Sequence, residues 1–296
     1  MVLGEKMSNT QELLRVGQAA QWGRLLVSLT GILWSLAGVF IKLLDLHPLT
    51  IVFYRSLFAS LFFFPFVRRS EWTAAVPLVV SVVSYTAAIS AFVWANKLTS
   101  AANAIILQYT APIFVFFLVR FLFGEAISRP NLITLLSGMV GVGIIFVGSA
   151  GQPDAGGVGV AILSGFLFSI YMVNLRFLGG VRPTYLTLMN NLVCCALLLP
   201  LVPSFSLSSE QAAALAVMGV VQLGIPYFLF SKGLETVPLQ EASLIVLIEP
   251  VLNPVWVALM SGEVPSVATL AGGGTILFSL GFRYVWLLGH SGGRES

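Results

Sequence analysis

Residues 98–125 read LTSAANAIILQYTAPIFVFFLVRFLFGE, and residues 241–263 read EASLIVLIEPVLNPVWVALMSGE. Both stretches begin with small residues, contain a proline partway along and end in a Gly-Glu pair. Pro112 and Pro250 are 138 positions apart, and the two Gly-Glu pairs have the same spacing. Each stretch contains an almost unbroken apolar run of about 20 residues, which is the length that a helix needs to cross a bilayer. The chain therefore contains one membrane-helix motif twice.

The same correspondence extends over the rest of the chain, at a spacing of 134 or 135 positions. The matched residues are Gly31, Trp34 and Ser35 with Gly165, Phe168 and Ser169; Pro48 and Pro65 with Pro183 and Pro200; and Thr134 and Leu135 with Thr269 and Leu270. Small changes in spacing are what insertions and deletions in loops produce. The chain is therefore predicted to consist of two homologous halves.

The composition excludes most soluble classes of protein. Of the 296 residues, 57% are hydrophobic and 9% are charged, whereas a soluble domain has roughly 25% charged residues. This chain cannot cover a water-facing surface, so an ordinary soluble enzyme, a disordered protein and a nucleic-acid-binding protein are all excluded. The two cysteines, Cys194 and Cys195, are neighbours in an apolar run and indicate neither a disulfide framework nor a metal site.

Ten apolar runs are long enough to be membrane-spanning helices. They cover approximately Gly23–Leu44, Leu49–Val67, Trp72–Ala95, Ala101–Phe123, Pro130–Ser149, Gly156–Phe177, Thr184–Val202, Glu210–Lys232, Ala242–Ser261 and Val267–Leu288. Barrel strands alternate apolar and polar residues, but these runs are continuous, as helices in lipid require. We therefore predict an all-α integral membrane protein.

Basic residues predict the orientation of the chain, because cytoplasmic loops are enriched in lysine and arginine. With the N-terminus inside, Lys42 and Lys97 lie outside and Arg55 lies within a span. The inner segments then hold Lys6, Arg15, Arg24, Arg68, Arg69, Arg120, Arg129, Arg176, Arg182, Lys232, Arg283 and Arg294. Both termini are predicted to be cytoplasmic, and the membrane is predicted to be the inner (plasma) membrane.

Five spans per half is an odd number, so the second half enters the membrane from the opposite side. We predict a cytoplasmic arm at 1–22, a first five-helix repeat at 23–150, a second, inverted repeat at 151–289 and a cytoplasmic tail at 290–296. Inverted repeats are a common way to build a transporter, because a site at their interface can open to either side in turn.

The two quoted stretches resemble the EamA-type signature of the drug/metabolite transporter superfamily, and the resemblance covers both halves. It implies a central cavity formed mainly by spans 1, 3, 4, 6, 8 and 9, with spans 5 and 10 at the back. Members of this family are mostly exporters of amino acids and other small metabolites, and some are importers. The resemblance identifies the family well and the substrate poorly.

Glu249 is the most conspicuous polar residue within a span, because it precedes Pro250 and shares a helix face with Asn253. Two interpretations stay open. It could bind a substrate amine or carry a coupling proton, since ionisable groups in a membrane interior are often functional. Alternatively, it could brace a kink by satisfying the backbone carbonyl that the proline leaves free.

Arg55 is the only basic residue deep within a span, and Asn190 is its counterpart in the second half. A buried arginine could hold a substrate carboxylate through a two-point contact. It could equally pair with Glu249 or cap backbone carbonyls as a brace.

Aromatic and amide residues complete the predicted substrate site. An aromatic pocket with a few amides suits an amphipathic solute, through burial, stacking and cation–π contact. For any one of these residues, helix packing or interfacial anchoring is the alternative. The candidates are Trp34, Tyr85, Trp94, Asn103, Gln108, Tyr109, Tyr171, Asn174, Gln222 and Tyr227.

Prolines and glycines are expected to allow the helices to bend and to pack closely. Pro112, Pro226, Pro250 and Pro254 are predicted to interrupt their spans, where bending would help a gate. Glycines in spans 5 and 10 are predicted to make thin faces that pack closely.

The prediction is a secondary transporter that works by alternating access and exports a small amphipathic metabolite such as an amino acid. No nucleotide-binding loop and no catalytic constellation occurs, so we expect neither an ATP-driven pump nor an enzyme, and no cofactor. The partners are the solute and the lipid bilayer, and the chain is a monomer or homodimer. The alternatives are an importer of a vitamin or nucleotide-like solute, and a non-transporting scaffold or lipid-handling protein.

Overall fold

The computed structural model describes residues 2–68, 76–124, 129–149, 155–237, 242 and 245–291. In this part of the chain every regular element is a helix, so the all-α prediction is confirmed there. The helices are α1 (Val2–Trp34), α2 (Ala37–Leu43), α3 (Pro48–Phe63), α4 (Val76–Leu98), α5 (Ala101–Gln108), α6 (Ala111–Phe123), α7 (Arg129–Ser149), α8 (Ala155–Asn174), α9 (Pro183–Leu198), α10 (Ser209–Val217), α11 (Ile225–Gly233), α12 (Ile248–Ser261) and α13 (Val267–Ser291).

Seven stretches of the described chain are long and apolar enough to cross a membrane, which makes this a multi-pass membrane protein. They are Gln18–Leu43, Pro48–Phe66, Val76–Leu98, Ala101–Phe123, Ala155–Leu178, Pro183–Leu201 and Ser209–Gly233. Shorter apolar helices occupy Leu132–Gly148 and Val267–Ser279. Described helices overlap each of the ten predicted runs, while the count of ten spans and their orientation stay predictions. Residues predicted to form a polar arm belong to α1, which is helical from Val2.

Helix ends follow the proline and glycine positions that match between the halves. Pro48 and Pro183 are the first residues of α3 and α9, where the missing N–H of proline costs nothing. Gly124 and Gly262 end α6 and α12 at φ values of 68° and 72°, a left-handed conformation that glycine adopts readily. The paired residues therefore have the same local structure in both halves. Glu125 and the predicted boundary at 150/151 lie outside the described residues.

The principal packing pairs each join a helix of the first half to a helix of the second. α1 packs on α11, α3 on α9, α4 on α8, and α7 on α13. In the α7–α13 contact, a Cβ on Gly141 would lie 2.6 Å from the Gly272 carbonyl oxygen. Gly141 and Gly272 thus allow the backbones to touch as predicted, whereas Gly143 and Gly274, which belonged to the same prediction, have nothing within 4 Å of a Cβ.

Besides the turn at Ser35–Leu36 between α1 and α2, two matching apolar stretches, one in each half, are each interrupted by a short turn. The first turn, at Tyr109–Thr110, separates α5 from α6, and the second, at Val246–Leu247, precedes α12. Gly165 lies over the first turn, where a Cβ would be 2.9 Å from the Gln108 carbonyl oxygen. Gly31 lies over the second, where a Cβ would be 3.4 Å from the Cα of Val246. Each turn is thus covered by a glycine of the other half.

Three of the four prolines predicted to interrupt helices lie at or near helix starts. Pro112 and Pro226 are in the first two positions of α6 and α11, and Pro250 is in the first turn of α12. Pro254 departs from the prediction, because α12 continues through it. Before Pro226, the chain forms a π-helical segment, Met218–Gly224.

Candidate functional site

Four aromatic side chains meet in the interior, and we call Trp34, Tyr85, Tyr171 and Tyr227 the aromatic cluster. The ring centroids are 4.9 Å apart for Trp34–Tyr227, 5.3 Å for Tyr85–Tyr227 and 5.6 Å for Tyr85–Tyr171. The rings are tilted or edge-on, an arrangement that aromatic pairs favour. They come from α1, α4, α8 and α11, so both halves contribute.

Two neighbouring asparagines of α9 fix the hydroxyl groups of the cluster. The Tyr85 hydroxyl donates to Asn191 Oδ1 at 3.2 Å, and Asn190 Nδ2 donates to the Tyr171 hydroxyl at 3.3 Å. Ser81 also donates to Asn190 Oδ1, at 3.2 Å. Both amides are buried, so this network holds the two tyrosine rings in place from one side.

Arg55 brings a positive charge to the cluster. Its side chain is 2% exposed, and its guanidinium interacts electrostatically with Tyr85, Cys194 and Tyr227. Within the described chain it makes one hydrogen bond, from Nη2 to the Ile89 carbonyl oxygen at 3.4 Å, and its Nε has no partner. The sequence left two structural roles open for Arg55, pairing with Glu249 and capping of backbone carbonyls. Among the described residues Arg55 forms no ion pair with Glu249, and it caps one carbonyl, through this long contact.

Glu249 also lies near Tyr227, whose hydroxyl interacts electrostatically with both Arg55 and Glu249. The Tyr109 hydroxyl is 2.8 Å from Glu249 Oε2 and 2.9 Å from the Val246 carbonyl oxygen. Val246 is four residues before Pro250, which has no N–H, and its carbonyl accepts the backbone N–H of Glu249 instead, at 2.9 Å. Tyr109, from the turn of the first half, therefore contacts the matching turn of the second half.

A tyrosine hydroxyl has a single proton, so Tyr109 cannot donate to both acceptors at once. When Glu249 is protonated, its acid O–H can donate to Tyr109, and Tyr109 then donates to Val246. When Glu249 is ionised, it competes with Val246 for the one tyrosine proton. The arrangement links the protonation of Glu249 to the hydrogen bonding of the broken helix.

Further polar atoms around the cluster have no partner within the described chain. The indole Nε1 of Trp34 and the Oε1 of Gln222 are buried without a hydrogen bond. Gln222 Nε2 donates to the Trp34 carbonyl oxygen at 3.5 Å, and Gln222 belongs to the π-helical segment. Buried polar groups are normally paired, and π-helical turns are frequent at functional sites. These atoms are suited to contact a polar ligand.

The EamA-like transporter family model matches residues 21–147 and 155–284. The chain belongs to this family. The two matched segments correspond to the two halves identified above, and together they include every helix that contributes to the aromatic cluster.

Relatives of this EamA-like transporter carry general names. An uncharacterized transporter of Archaeoglobus fulgidus is 27% identical over 265 residues, which are 89% of this chain and 94% of the relative. The uncharacterized transporter YdfC of Bacillus subtilis is 26% identical over 197 residues, which are 64% of each chain. A solved crystal structure superposes with a TM-score of 0.65 at 16% identity, over 91% of this chain and 98% of that one. That likeness concerns the fold alone.

Eight of the thirteen predicted site residues lie in or beside the cluster: Trp34, Arg55, Tyr85, Tyr109, Tyr171, Gln222, Tyr227 and Glu249. Two others are close to helix turns. Gln108 Nε2 donates to the Ser164 hydroxyl at 2.9 Å, and Asn253 Nδ2 donates to the Ser35 carbonyl oxygen at 3.0 Å while its Oδ1 has no partner.

The remaining three predicted residues make other contacts. Asn103 donates to Thr99 and accepts from Thr269 Oγ1 at 2.6 Å, which ties α5 to α13. Asn174 donates to the Pro77 carbonyl oxygen at 2.7 Å, near the start of α4. Trp94 is exposed and packs edge-on against His47. These contacts match the alternatives of helix packing and interfacial anchoring.

Sequence reasoning missed the role of Asn191 and noted Asn190 only as the counterpart of Arg55. Two adjacent amides in an apolar run were the available signal, since each must find a hydrogen-bond partner in lipid. The buried hydroxyl of Ser81 was missed as well, because serine is common in membrane helices and its sequence context is unremarkable.

An ion pair joins the two halves at the face predicted to be outer, and we call it the Lys42–Glu263 bridge. Lys42 Nζ lies 2.8 Å from Glu263 Oε2 and donates to the Thr99 carbonyl oxygen at 2.8 Å. Glu263 Oε1 accepts from the backbone N–H of Ala101, the first residue of α5, at 2.6 Å. Beneath the bridge, Val39, Ala101 and Val257 form a buried apolar cluster. Charged and apolar contacts thus close this face of the helix bundle.

Proposed function

We propose that this EamA-like transporter is a secondary carrier that exports a small amphipathic metabolite, such as an amino acid, across the inner membrane by alternating access. The observation that carries the proposal is the aromatic cluster, which helices of both halves form between a buried arginine and a buried glutamate. Such a site can satisfy a solute that has an apolar body and charged groups. The family and its relatives support transport in general, and the cargo, mechanism and direction are our proposal.

We further propose ten spans in two inverted repeats, with both termini cytoplasmic. Support comes from the matched helix turns, from the matched glycine caps at Gly124 and Gly262, and from the reciprocal cover that Gly31 and Gly165 provide. In an inverted pair, exchange of the two conformations would open the cluster to one side and then to the other.

The cargo would bind between the two charges. Arg55 would take a carboxylate of the solute, Glu249 would take an amine, and the aromatic rings would cover its apolar body. The other predicted residues, including Gln108 and Asn253, would line the route at the helix turns. Asn190 and Asn191 would hold the tyrosine rings in the orientation that fits the cargo.

The sequence has no nucleotide-binding loop, so the driving force would be the solute gradient or a proton gradient. The Tyr109–Glu249 contact favours protons, because a proton on Glu249 changes the hydrogen bonding at both helix turns. Export is preferred over import on the family resemblance alone. An importer of a vitamin or nucleotide-like solute would use the same fold.

Counterflow in proteoliposomes tests the proposal. Vesicles that contain the purified protein are loaded with an unlabelled amino acid or metabolite, and uptake of the same labelled solute is followed. We expect transient accumulation for at least one solute, together with its loss in the Tyr227→Ala variant. A scaffold or lipid-handling protein would give no counterflow with any solute. Loading cells and following efflux and uptake separately then gives the direction.

A further inference from the structure

We infer that Arg55 is a receptor for a carboxylate, so that a monocarboxylate group is required in solutes that bind at the aromatic cluster. The inference rests on the proposed function for its biological meaning, but the observations behind it concern the site itself. They are the lack of partners around the guanidinium and the absence of a second cation beside it, both among the described residues, and the aromatic side chains next to it.

The guanidinium is buried without the partners that it needs. Arginine offers several N–H donors in a planar fork, yet in the described chain it uses one, in the 3.4 Å contact with Ile89. The described residues contain ion pairs at Lys42–Glu263 and Lys232–Glu235 but none at Arg55. Burying an uncompensated charge is unfavourable, so an anion from outside the chain would relieve this penalty.

The Glu249 carboxyl, the other charged group of the proposed site, does not act as that anion. Among the described residues Glu249 forms no ion pair with Arg55, and its Oε2 accepts from the Tyr109 hydroxyl at 2.8 Å. The local fold also keeps the Arg55 backbone in position, because Gly219, in the π-helical segment, packs directly against the Arg55 carbonyl oxygen. The backbone of α3 is therefore clamped where the arginine begins.

The number of charges selects the class of anion. At the position that corresponds to Arg55 in the second half, the chain has the neutral Asn190, whose amide is used by Tyr171 and Ser81. The hydroxyl of Tyr85 is likewise used by Asn191. Within the part of the chain that the structure describes, Arg55 is the one cation at this cluster and has no ion pair, so it fits one negative charge and, through its planar fork, a carboxylate in particular. A doubly charged phosphate would leave one charge buried and unpaired.

Thermal unfolding of the purified protein tests the inference without knowledge of the natural cargo. The probes are acetate, 4-methylpentanoate and leucine, each compared with its own primary amide at constant ionic strength. At least one carboxylate should stabilise the wild type more than its amide does, with binding that is about tenfold to 100-fold tighter. Equal effects of every carboxylate and its amide would overturn the inference.

Variants at Arg55 separate a receptor from a brace. Arg55→Met removes an unpaired buried charge, so it should raise the melting temperature without ligand and abolish the preference for carboxylates. Arg55→Lys should keep part of that preference. Arg120→Met is the matched control, because Arg120 is exposed, and it should change neither. A lower ligand-free melting temperature for Arg55→Met would identify a structural brace and overturn the inference.

The outcome is distinguishable from that of the proposed function. If no solute gives counterflow but carboxylates still stabilise the protein through Arg55, the carrier proposal fails and the receptor stands. If wild type and Arg55→Met transport a carboxylate and its amide equally well, the receptor fails and the carrier stands.

Discussion

At the scale of single residues, Tyr109 is the most consequential side chain outside the aromatic cluster. Its hydroxyl reaches both Val246 O and Glu249 Oε2 across the boundary between the halves. The first acceptor also receives the backbone N–H of Glu249, at 2.9 Å, and burial makes the second one costly to leave unpaired. The Tyr109 hydroxyl therefore adds a second contact to the Val246 carbonyl and supplies a hydrogen bond to the buried carboxylate.

Replacing Tyr109 by phenylalanine removes this hydroxyl and keeps the ring. We expect the variant to lose about 1–3 kcal/mol of unfolding free energy, the usual cost of a buried polar group left unpaired. The measurement is thermal or denaturant unfolding in detergent. Tyr54→Phe is the control, because the Tyr54 hydroxyl bonds to Phe205 at an exposed position. Equal losses for the two variants would contradict the expectation.

Glu249→Gln tests proton coupling, because glutamine keeps the shape of the side chain and cannot titrate. If Glu249 takes up and releases a proton in each cycle, transport by the wild type should respond to a pH gradient and transport by the variant should not. The measurement is counterflow and gradient-driven transport in proteoliposomes across a pH series. Glu235→Gln, at an exposed turn, is the control. An unchanged pH dependence in Glu249→Gln would reject proton coupling at this residue.

Much of the site could be predicted from the sequence, but not which face of each helix points inward. Arg55 and Glu249 were identifiable because charge is rare in an apolar run. Tyr171 and Asn174 share a helix face, yet Tyr171 joins the cluster and Asn174 bonds to Pro77 near the start of α4. The two residues lie at different heights along α8, so each of them meets a different part of α4. Which part each one meets is known only once α4 is packed beside α8.

At the scale of helices, the positions of the apolar runs were predictable and their interruptions were less so. The turn at Tyr109–Thr110 precedes Pro112, as expected where proline removes a hydrogen bond. Pro254 has the same chemistry but does not break α12. What distinguishes the two is the neighbouring helix: Gly165 leaves room for the first turn, a tertiary contact that sequence alone does not reveal.

The contact between α7 and α13 offers a matched pair of glycines. Gly141→Ala would place a Cβ 2.6 Å from the Gly272 backbone oxygen, whereas at Gly143 nothing lies within 4 Å of that position. We expect Gly141→Ala to destabilise the protein by about 1–3 kcal/mol through overpacking. Gly143→Ala should be neutral or stabilising by up to about 1 kcal/mol through helix propensity. Unfolding of both variants checks this, and the same sign for both would be a contradiction.

The Lys42–Glu263 bridge is expected to hold the outer face closed. Glu263→Gln removes the ion pair but keeps an oxygen for the Ala101 N–H. In a cysteine-free background with Val39→Cys beneath the bridge, the variant should react faster with a membrane-impermeant maleimide. Half-exposed ion pairs contribute up to about 1 kcal/mol, so the increase should be up to about fivefold. The control is Glu235→Gln, and an equal labelling rate in both variants would rule out a closing role.

At the scale of the whole molecule, all four principal helix pairs join the two halves. The aromatic cluster and the contact between Gly141 and Gly272 both need residues from the two halves. The sequence repeat predicted a site at the interface of the two halves. The pairing of particular helices was beyond the sequence, because ten apolar runs can pack in many orders.

Cysteine labelling tests the proposed orientation of the chain. In a variant without Cys194 and Cys195, a cysteine at Ser206 should react with an impermeant maleimide in intact cells. One at Glu235 should react only after the membrane is permeabilised. Both positions are exposed and lie between helices. If both cysteines reacted from the same side, a single membrane crossing between them would be ruled out. That result would contradict the inverted arrangement.

The reciprocal placement of Gly31 and Gly165 determines where second-site suppressors should arise. A larger residue at Gly31 would clash with residues 245–248, and a larger residue at Gly165 would clash with residues 107–110. Second mutations that restore function after either substitution should therefore lie in the other half of the gene rather than beside the original mutation. A substitution at either glycine would then persist only with a second substitution in the turn that it covers. The two halves of the chain would therefore change in sequence together.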